Sequence, residues 1–285
     1  MRSPDNPEFS TAPAEAVAVS AAAVLVNALK LYLGLVTFAT ACLLTSALIF
    51  AGGVLLPRKR RQPFARSAIS RMFRWHFQAM EWIGVMRLDI TALDSLRDGP
   101  PMVLSPNHPS SVDAALVLSR IGNVACIMKA DVLHNPLFGS GAREAGYITT
   151  DPVRSMVRAA VDDLQGGGHL LLFPEGTRTV QLPLNPVQRT AGLIAKRAGV
   201  PVQTVIIESN SAFLAKGWPL LRIPAFPMQY TLRLGRRFEA PDDVDAFAVE
   251  LEAYFRDELA RALLPVLPVL PGRPGLPVRH PPPLQ

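Results

Sequence analysis

Cysteine and charge are what this sequence has little of. Of its 285 residues two are cysteine and 18% are charged. Cys42 and Cys126 are too few and too far apart for a disulfide framework or the paired spacing of a zinc site. Both lie in apolar stretches and read as buried thiols. Scarce charge alongside 49% apolar residues excludes a chain disordered throughout. A G-x-x-x-x-G-K-[ST] loop is missing, and so is a G-x-G-x-x-G after a strand, so nucleotide hydrolysis and hydride transfer lack support. His76, His134, His169 and His280 share no ligand spacing with a cysteine or carboxylate cluster, so no metal is expected.

Charge is absent for a long way near the N-terminus. From Leu31 to Pro57 no residue is ionised, a run long enough to cross a bilayer. Asp5, Glu8 and Glu15 ahead of it argue against a cleaved signal peptide. Ala16–Leu29 is also apolar, but about 14 residues rise only about 21 Å as a helix. One crossing is therefore favoured over a hairpin broken at Lys30. The net charge of +6 is modest and sits mostly just after this run, at Arg58, Lys59, Arg60, Arg61, Arg66, Arg71 and Arg74. Such a run beside a span reads as attraction to anionic lipid headgroups rather than as a nucleic-acid patch, and it places the rest of the chain on the cytoplasmic face of the inner membrane. Ala65–Met86 reads as a helix with Ile69, Met72, Phe73, Met80 and Ile83 at helical spacing. Trp75 and Trp82 are its candidate interface anchors. The same apolar face fits packing on the globular domain equally well.

Beyond this region strands and helices alternate. Strands are expected at Pro101–Ser105, Val124–Met128, Tyr147–Thr149, His169–Phe173, Val202–Ile207 and Met228–Leu234. Helices are expected at Pro109–Arg120, Asp131–Ala145 with a break at Pro136 and Gly139, Pro152–Gln165, Asn185–Gly199 and Pro241–Leu264. The pattern predicts an α/β fold, a mixed and mostly parallel sheet covered by helices, with an N-terminal membrane helix and a basic interfacial helix. The segments are 1–57 membrane segment, 58–95 basic interfacial region, 96–264 globular domain and 265–285 Pro-rich tail. In the tail Pro265, Pro268, Pro271, Pro274 and Pro277 favour an extended polyproline arm.

Two stretches carry chemistry. The first is Asn107-His108-Pro109-Ser110-Ser111-Val112-Asp113, at a strand end. On one straight helix His108 and Asp113 would point about 140° apart. They meet only if His108 sits on the turn before the helix and Asp113 in an early turn of it. If they meet, Asp113 takes the proton on one ring nitrogen and leaves the other free as a base. A capping role for Asp113 is the plainer reading of the same spacing. The second is Phe173-Pro174-Glu175-Gly176-Thr177-Arg178, also at a strand end. Glycine there permits close approach, threonine offers a hydroxyl, and arginine a fork that suits phosphate.

Together the two stretches resemble the glycerolipid acyltransferase superfamily, and more closely its 1-acylglycerol-3-phosphate acyltransferase branch. Val200-Pro201-Val202-Gln203-Thr204-Val205 is similar to the family's later apolar block. The resemblance implies acyl transfer from acyl-CoA or acyl-carrier protein to a hydroxyl of a lysolipid acceptor at a membrane, with no bound cofactor and no nucleic acid. It implies His108 as base and Asp113 as its orienting partner. Asn107, Ser110, Lys129, Glu175, Gly176, Thr177 and Arg178 are the expected substrate-binding set. A thioester is already activated, so direct attack by the acceptor suffices and no serine nucleophile is required, although a covalent serine route through His108 stays open.

The sequence departs from the family in one place. Where the family often has a phosphate-binding arginine, Gly146-Tyr147-Ile148-Thr149-Thr150-Asp151 ends in an acid, and Arg154 and Arg158 are the nearest cations. Lys216-Gly217-Trp218-Pro219 and Ile223-Pro224 are similar to a branch found with aryl-polyene pigment pathways. The acceptor is therefore either a lysophosphatidate or another lipid, and a non-catalytic lipid-binding protein is the remaining alternative.

Overall fold

The computed structural model describes residues 21–135, 137 and 139–263. The Pro-rich tail and the first residues of the N-terminal segment lie outside them. A single helix α1 (Ala21–Leu55) runs without a break through Lys30, so the hairpin alternative does not hold. Among the described residues it is the one helix long and apolar enough to cross a membrane.

Helix α2 (Arg58–Trp82) follows and packs antiparallel on α1. Phe38 meets His76 at a ring-centroid distance of 5.2 Å, and further along Gly52 lies against the Phe64 ring. A side chain at Gly52 would collide with that ring, so the glycine lets the two helices close. α2 starts seven residues before the expected Ala65. It ends at Trp82, with Ile83 as C-cap and Gly84 (φ +70°) turning the chain away, rather than continuing to Met86. Its Ala65, Arg66, Ala68, Ile69, Phe77 and Met80 are buried, while Trp75 and Trp82 are 73% and 88% exposed. One face thus packs on the protein and leaves the tryptophans outside. Arg66 anchors the packed face: its guanidinium donates to Asp163 Oδ1 at 2.5 Å, to Asn123 Oδ1 at 3.1 Å and to the Ala145 carbonyl at 2.8 Å.

The globular part is built on a seven-stranded sheet. Its strands are β1 (Met86–Asp89), β2 (Val103–Pro106), β3 (Val124–Met128), β4 (Ile148–Thr149), β5 (His169–Leu171), β6 (Val202–Ser209) and β7 (Met228–Phe238). The order is β1-β7-β6-β2-β5-β3-β4, and every pairing is parallel except β6 with β7. The expected mixed, mostly parallel sheet is what forms. β1 had no place in the sequence reading, because Met86-Arg87-Leu88-Asp89 is short and half charged and becomes a strand only by pairing with β7.

Both faces of the sheet are covered, and the pleat sends alternate residues to opposite sides. Leu104, Leu171, Phe173, Val205 and Ile207 enter the core shared with α2 and α3 (Val112–Arg120). Val103, Leu170, Leu172, Val202 and Ile206 enter the other core. That second core is closed by α6 (Val153–Gln165), α7 (Thr190–Ala198) and α8 (Val244–Leu263). Two short helices, α4 (Ala130–Leu133) and α5 (Gly139–Glu144), replace the interrupted helix expected after β3. A 3-10 helix at Thr91–Leu96 completes the fold.

Two helix starts differ from expectation for one reason. α3 begins at Val112 rather than Pro109, and α7 at Thr190 rather than Asn185. In both cases the intervening amides are held by groups from elsewhere. Ser110 N donates to Asp113 at 2.7 Å and Ser111 N to the Leu214 carbonyl at 3.1 Å. Asn185 N donates to Glu175, Val187 N to Glu252 and Gln188 N to the Pro174 carbonyl.

Candidate active site

The two chemical stretches meet because β2 and β5 are parallel neighbours, with Val103 opposite Leu170 and Leu104 opposite Leu171. Their C-terminal ends emerge side by side, where open α/β sheets place their sites. Residues 107–111 leave β2 as a turn, so His108 precedes α3 and Asp113 lies in its first turn. His108 Nδ1 and Asp113 Oδ2 are 2.9 Å apart. Asp113 is fully buried and His108 is 16% exposed.

Asp113 also accepts the Ser110 amide at 2.7 Å and the Ser110 hydroxyl at 2.9 Å. One carboxylate thus contacts the imidazole and also holds the turn before α3, whereas the α3 N-cap, Ser111, has no side-chain cap. Burial pushes the Asp113 carboxyl up from the ordinary aspartate range, while His108 and the two Ser110 donors oppose it. A proton on Nδ1 would be shared with Oδ2 and leave Nε2 unprotonated; Nε2 makes no hydrogen bond to the described residues. The Phe173 ring stacks on the imidazole at a centroid distance of 3.7 Å and 18° interplanar angle, fixing its plane.

The expected substrate-binding residues divide into two groups. Asn107, Ser110 and Glu175 are buried and turned inward. Asn107 exchanges two hydrogen bonds with the backbone of Ile207, at 2.9 and 2.7 Å, tying the β2 loop to β6. Glu175 Oε1 accepts the His108 amide at 2.8 Å, Oε2 accepts the Asn185 amide at 2.9 Å, and the Thr179 hydroxyl bridges both oxygens. Burial raises the Glu175 carboxyl, and these donors pull against it.

His108, Lys129, Gly176, Thr177 and Arg178 instead line a cavity of about 890 Å³. Arg178 donates through Nη1 to the Leu214 and Ala215 carbonyls, at 2.9 and 3.2 Å. Its Nε and Nη2 bond to none of the described residues. Gly176 has φ +66°, and a side chain there would strike Gln188.

The cavity continues away from these polar groups, between α1 and α2. Its wall there is Leu35, Phe38, Ile69, Phe73 and Phe77, and the segment around Phe213 and Phe226 closes one side. Asp151 lines it as well, while Arg154 and Arg158 do not. Gln188, Thr190 and Lys216 are lining residues that the motifs did not single out. Gln188 is reached through a long loop after β5 whose course is set by Glu175 and Asn185, and no local pattern marks it. Among the described residues no cluster of histidine, cysteine, aspartate or glutamate fits a metal ion.

The Acyltransferase family model matches residues 87–208, which span β1 to β6 and include both loops. A Pseudomonas aeruginosa protein named 1-acyl-sn-glycerol-3-phosphate acyltransferase is 24% identical over 189 residues, 62% of this chain and 72% of its own length. A Brassica napus chloroplast protein of the same name is 28% identical over 154 residues, 50% of this chain and 44% of its own. The chain spans 61% of the length of a Caenorhabditis elegans relative. The crystal structure of the 1-acyl-sn-glycerophosphate acyltransferase PlsC from Thermotoga maritima superposes with a TM-score of 0.67 at 18% identity, covering 84% of this chain and 95% of that one. That likeness concerns the fold alone. Residues 87–208, with their sheet strands and paired strand-end loops, thus match the Acyltransferase family, and the fold around them is that of the PlsC structure.

Proposed function

We propose that this protein is a membrane-bound O-acyltransferase that moves an acyl chain from an acyl thioester to a hydroxyl of a lysophosphatidate-type lipid. The observation that carries the reading is the 2.9 Å His108–Asp113 contact, with His108 in the wall of a mostly apolar cavity. His108 Nε2 takes the acceptor hydroxyl's proton as the oxygen attacks the thioester carbonyl. The new C–O bond forms, the C–S bond breaks, and the thiolate leaves and recovers the proton. Asp113 stabilises the imidazolium that forms in between. Ser110 is poorly placed for a covalent route, because its hydroxyl donates to Asp113 and accepts the Val112 amide.

Lys129 and the free edge of Arg178 serve the acceptor phosphate, with Thr177 beside them. α1 crosses the inner membrane and the basic start of α2, with Trp75 and Trp82, lies on its cytoplasmic surface, so the cavity opens where both substrates partition. Acyl-CoA and acyl-carrier protein both fit as donor. A second reading keeps the chemistry and changes the acceptor: Asp151 in the cavity wall favours a headgroup that carries a cation or hydroxyl rather than a bare phosphate.

The test is transfer of a labelled acyl chain by the full chain in lipid nanodiscs to a panel of lysolipids, with products identified by mass spectrometry. Wild type is expected to acylate one class preferentially, and His108→Ala to lose about 10²–10⁴-fold in rate with its fold intact. Undiminished turnover by His108→Ala refutes the mechanism and favours a protein that binds lipid without chemistry.

A further inference from the structure

Resting on that acyl-transfer reading, we infer that His76 makes this cavity selective for an acyl chain that carries a hydroxyl group. The ring of His76 lies on α2 and lines the cavity together with apolar side chains of α1 and α2. It packs against Phe38 of α1 at 5.2 Å and against Phe77 at 5.9 Å between ring centroids. Phe38 in turn stacks with Phe73 at 6.3 Å. Every neighbour in this cluster is a phenyl ring, and a phenylalanine at position 76 would extend it with no polar atom to satisfy.

Neither imidazole nitrogen hydrogen-bonds to any of the described residues. Burial pushes the imidazole down to about 4. The ring is therefore neutral at pH 7 and presents one N–H donor and one acceptor nitrogen. His76 is half-buried, and an acyl chain that fills the cavity beside it without offering a partner leaves the ring's polar atoms unsatisfied, which is destabilising. The Ser46 hydroxyl on the same wall is already given to the Leu137 carbonyl at 3.2 Å. A saturated chain passing this point offers nothing to the ring. A hydroxyl is both donor and acceptor, as the neutral imidazole is, and restores the missing bond.

The experiment uses the full chain in nanodiscs, wild type, His76→Phe and His76→Gln. Binding is measured with non-reactive thioether analogues of palmitoyl-CoA and of palmitoyl-CoA bearing one hydroxyl at successive chain positions. Transfer is measured in parallel with the corresponding thioesters. Wild type is expected to bind at least one hydroxylated analogue about three- to tenfold more tightly than the plain chain, the worth of one neutral hydrogen bond. His76→Phe is expected to erase that ratio while keeping or improving plain-chain binding, which also reports that it folds. His76→Gln is expected to keep part of the ratio.

Equal binding of all analogues by wild type overturns the inference, because water then satisfies the ring. A preference that survives His76→Phe overturns it too. Selective, His76-dependent binding without any turnover would instead fail the acyl-transfer reading and leave the selectivity standing.

Discussion

Glu175 Oε1 accepts the backbone N–H of His108 at 2.8 Å. The glutamate of the Glu-Gly-Thr-Arg loop thus holds the backbone of the imidazole-bearing loop in place, although it lies in the stretch that the sequence marks for substrate. The same carboxylate takes the Asn185 amide and the Thr179 hydroxyl, so one buried side chain fixes three segments around the cavity. Replacing Glu175 by alanine strands these donors. The expected cost is about 2–4 kcal/mol in stability, with activity falling because His108 shifts. Chemical denaturation and initial rates, measured on the same preparation, check this. A destabilised variant that retains full kcat would separate the loop from the chemistry.

Asp113→Asn keeps the shape of the side chain and reverses its hydrogen-bonding sense. Three donors now point at Asp113, from His108 and from the amide and hydroxyl of Ser110. An amide satisfies some of them only by presenting its NH₂ to the imidazole, which stabilises the tautomer protonated at Nε2. The rate is expected to fall about 10²–10⁴-fold at constant fold, with acceptor KM little changed. Nitrogen NMR of the His108 ring would report the tautomer directly.

Gly176→Ala tests the turn beneath Arg178. The φ of +66° is strained for any residue with a Cβ, and that carbon would meet Gln188. The expected loss is about 1–2 kcal/mol in stability, with a larger effect on acceptor KM than on kcat, since His108 is held from the other side. A KM-against-kcat comparison across lysolipids measures it.

Glu252 gives a prediction with a definite pH sign. It accepts the Val187 amide at 2.9 Å and pairs with Arg256, and these donors hold its carboxyl below the ordinary glutamate value. A folded-state value lower than the unfolded one contributes stability above the unfolded value of about 4.3. That contribution is lost as pH falls through the folded one. Glu252→Gln is therefore expected to be less stable than wild type by about 0.5–1 kcal/mol at pH 7, a small figure because the pair is partly solvated. The two proteins should converge as pH drops below that unfolded value. Urea midpoints across this range test the convergence.

Some of this architecture was legible from local pattern alone. Val202–Ile207 is β-branched and apolar, and a strand there needs no partner to be recognised; α8 shows its buried face in Phe247, Leu251 and Phe255. β1 and the starts of α3 and α7 were not legible, because they depend on hydrogen bonds from residues far away in sequence. The division of the motif residues was hidden for the same reason. Asn107 and Glu175 look like ligand-binding groups by type, and only their partners at Ile207, Thr179 and Asn185 turn them inward.

The sequence by itself determined the apolar N-terminal helix, the alternation of strands and helices, and the residue types of the two loops. These rest on hydrophobic period, glycine and proline, which act within a few residues of the chain. The tertiary structure alone decided that β2 and β5 lie side by side and that His108 therefore stands beside Arg178. It also decided that a histidine on α2 shares the cavity with them. Strand order and helix docking are set by which buried faces fit one another, and that fit sums contacts between segments that carry no record of each other in their local sequence.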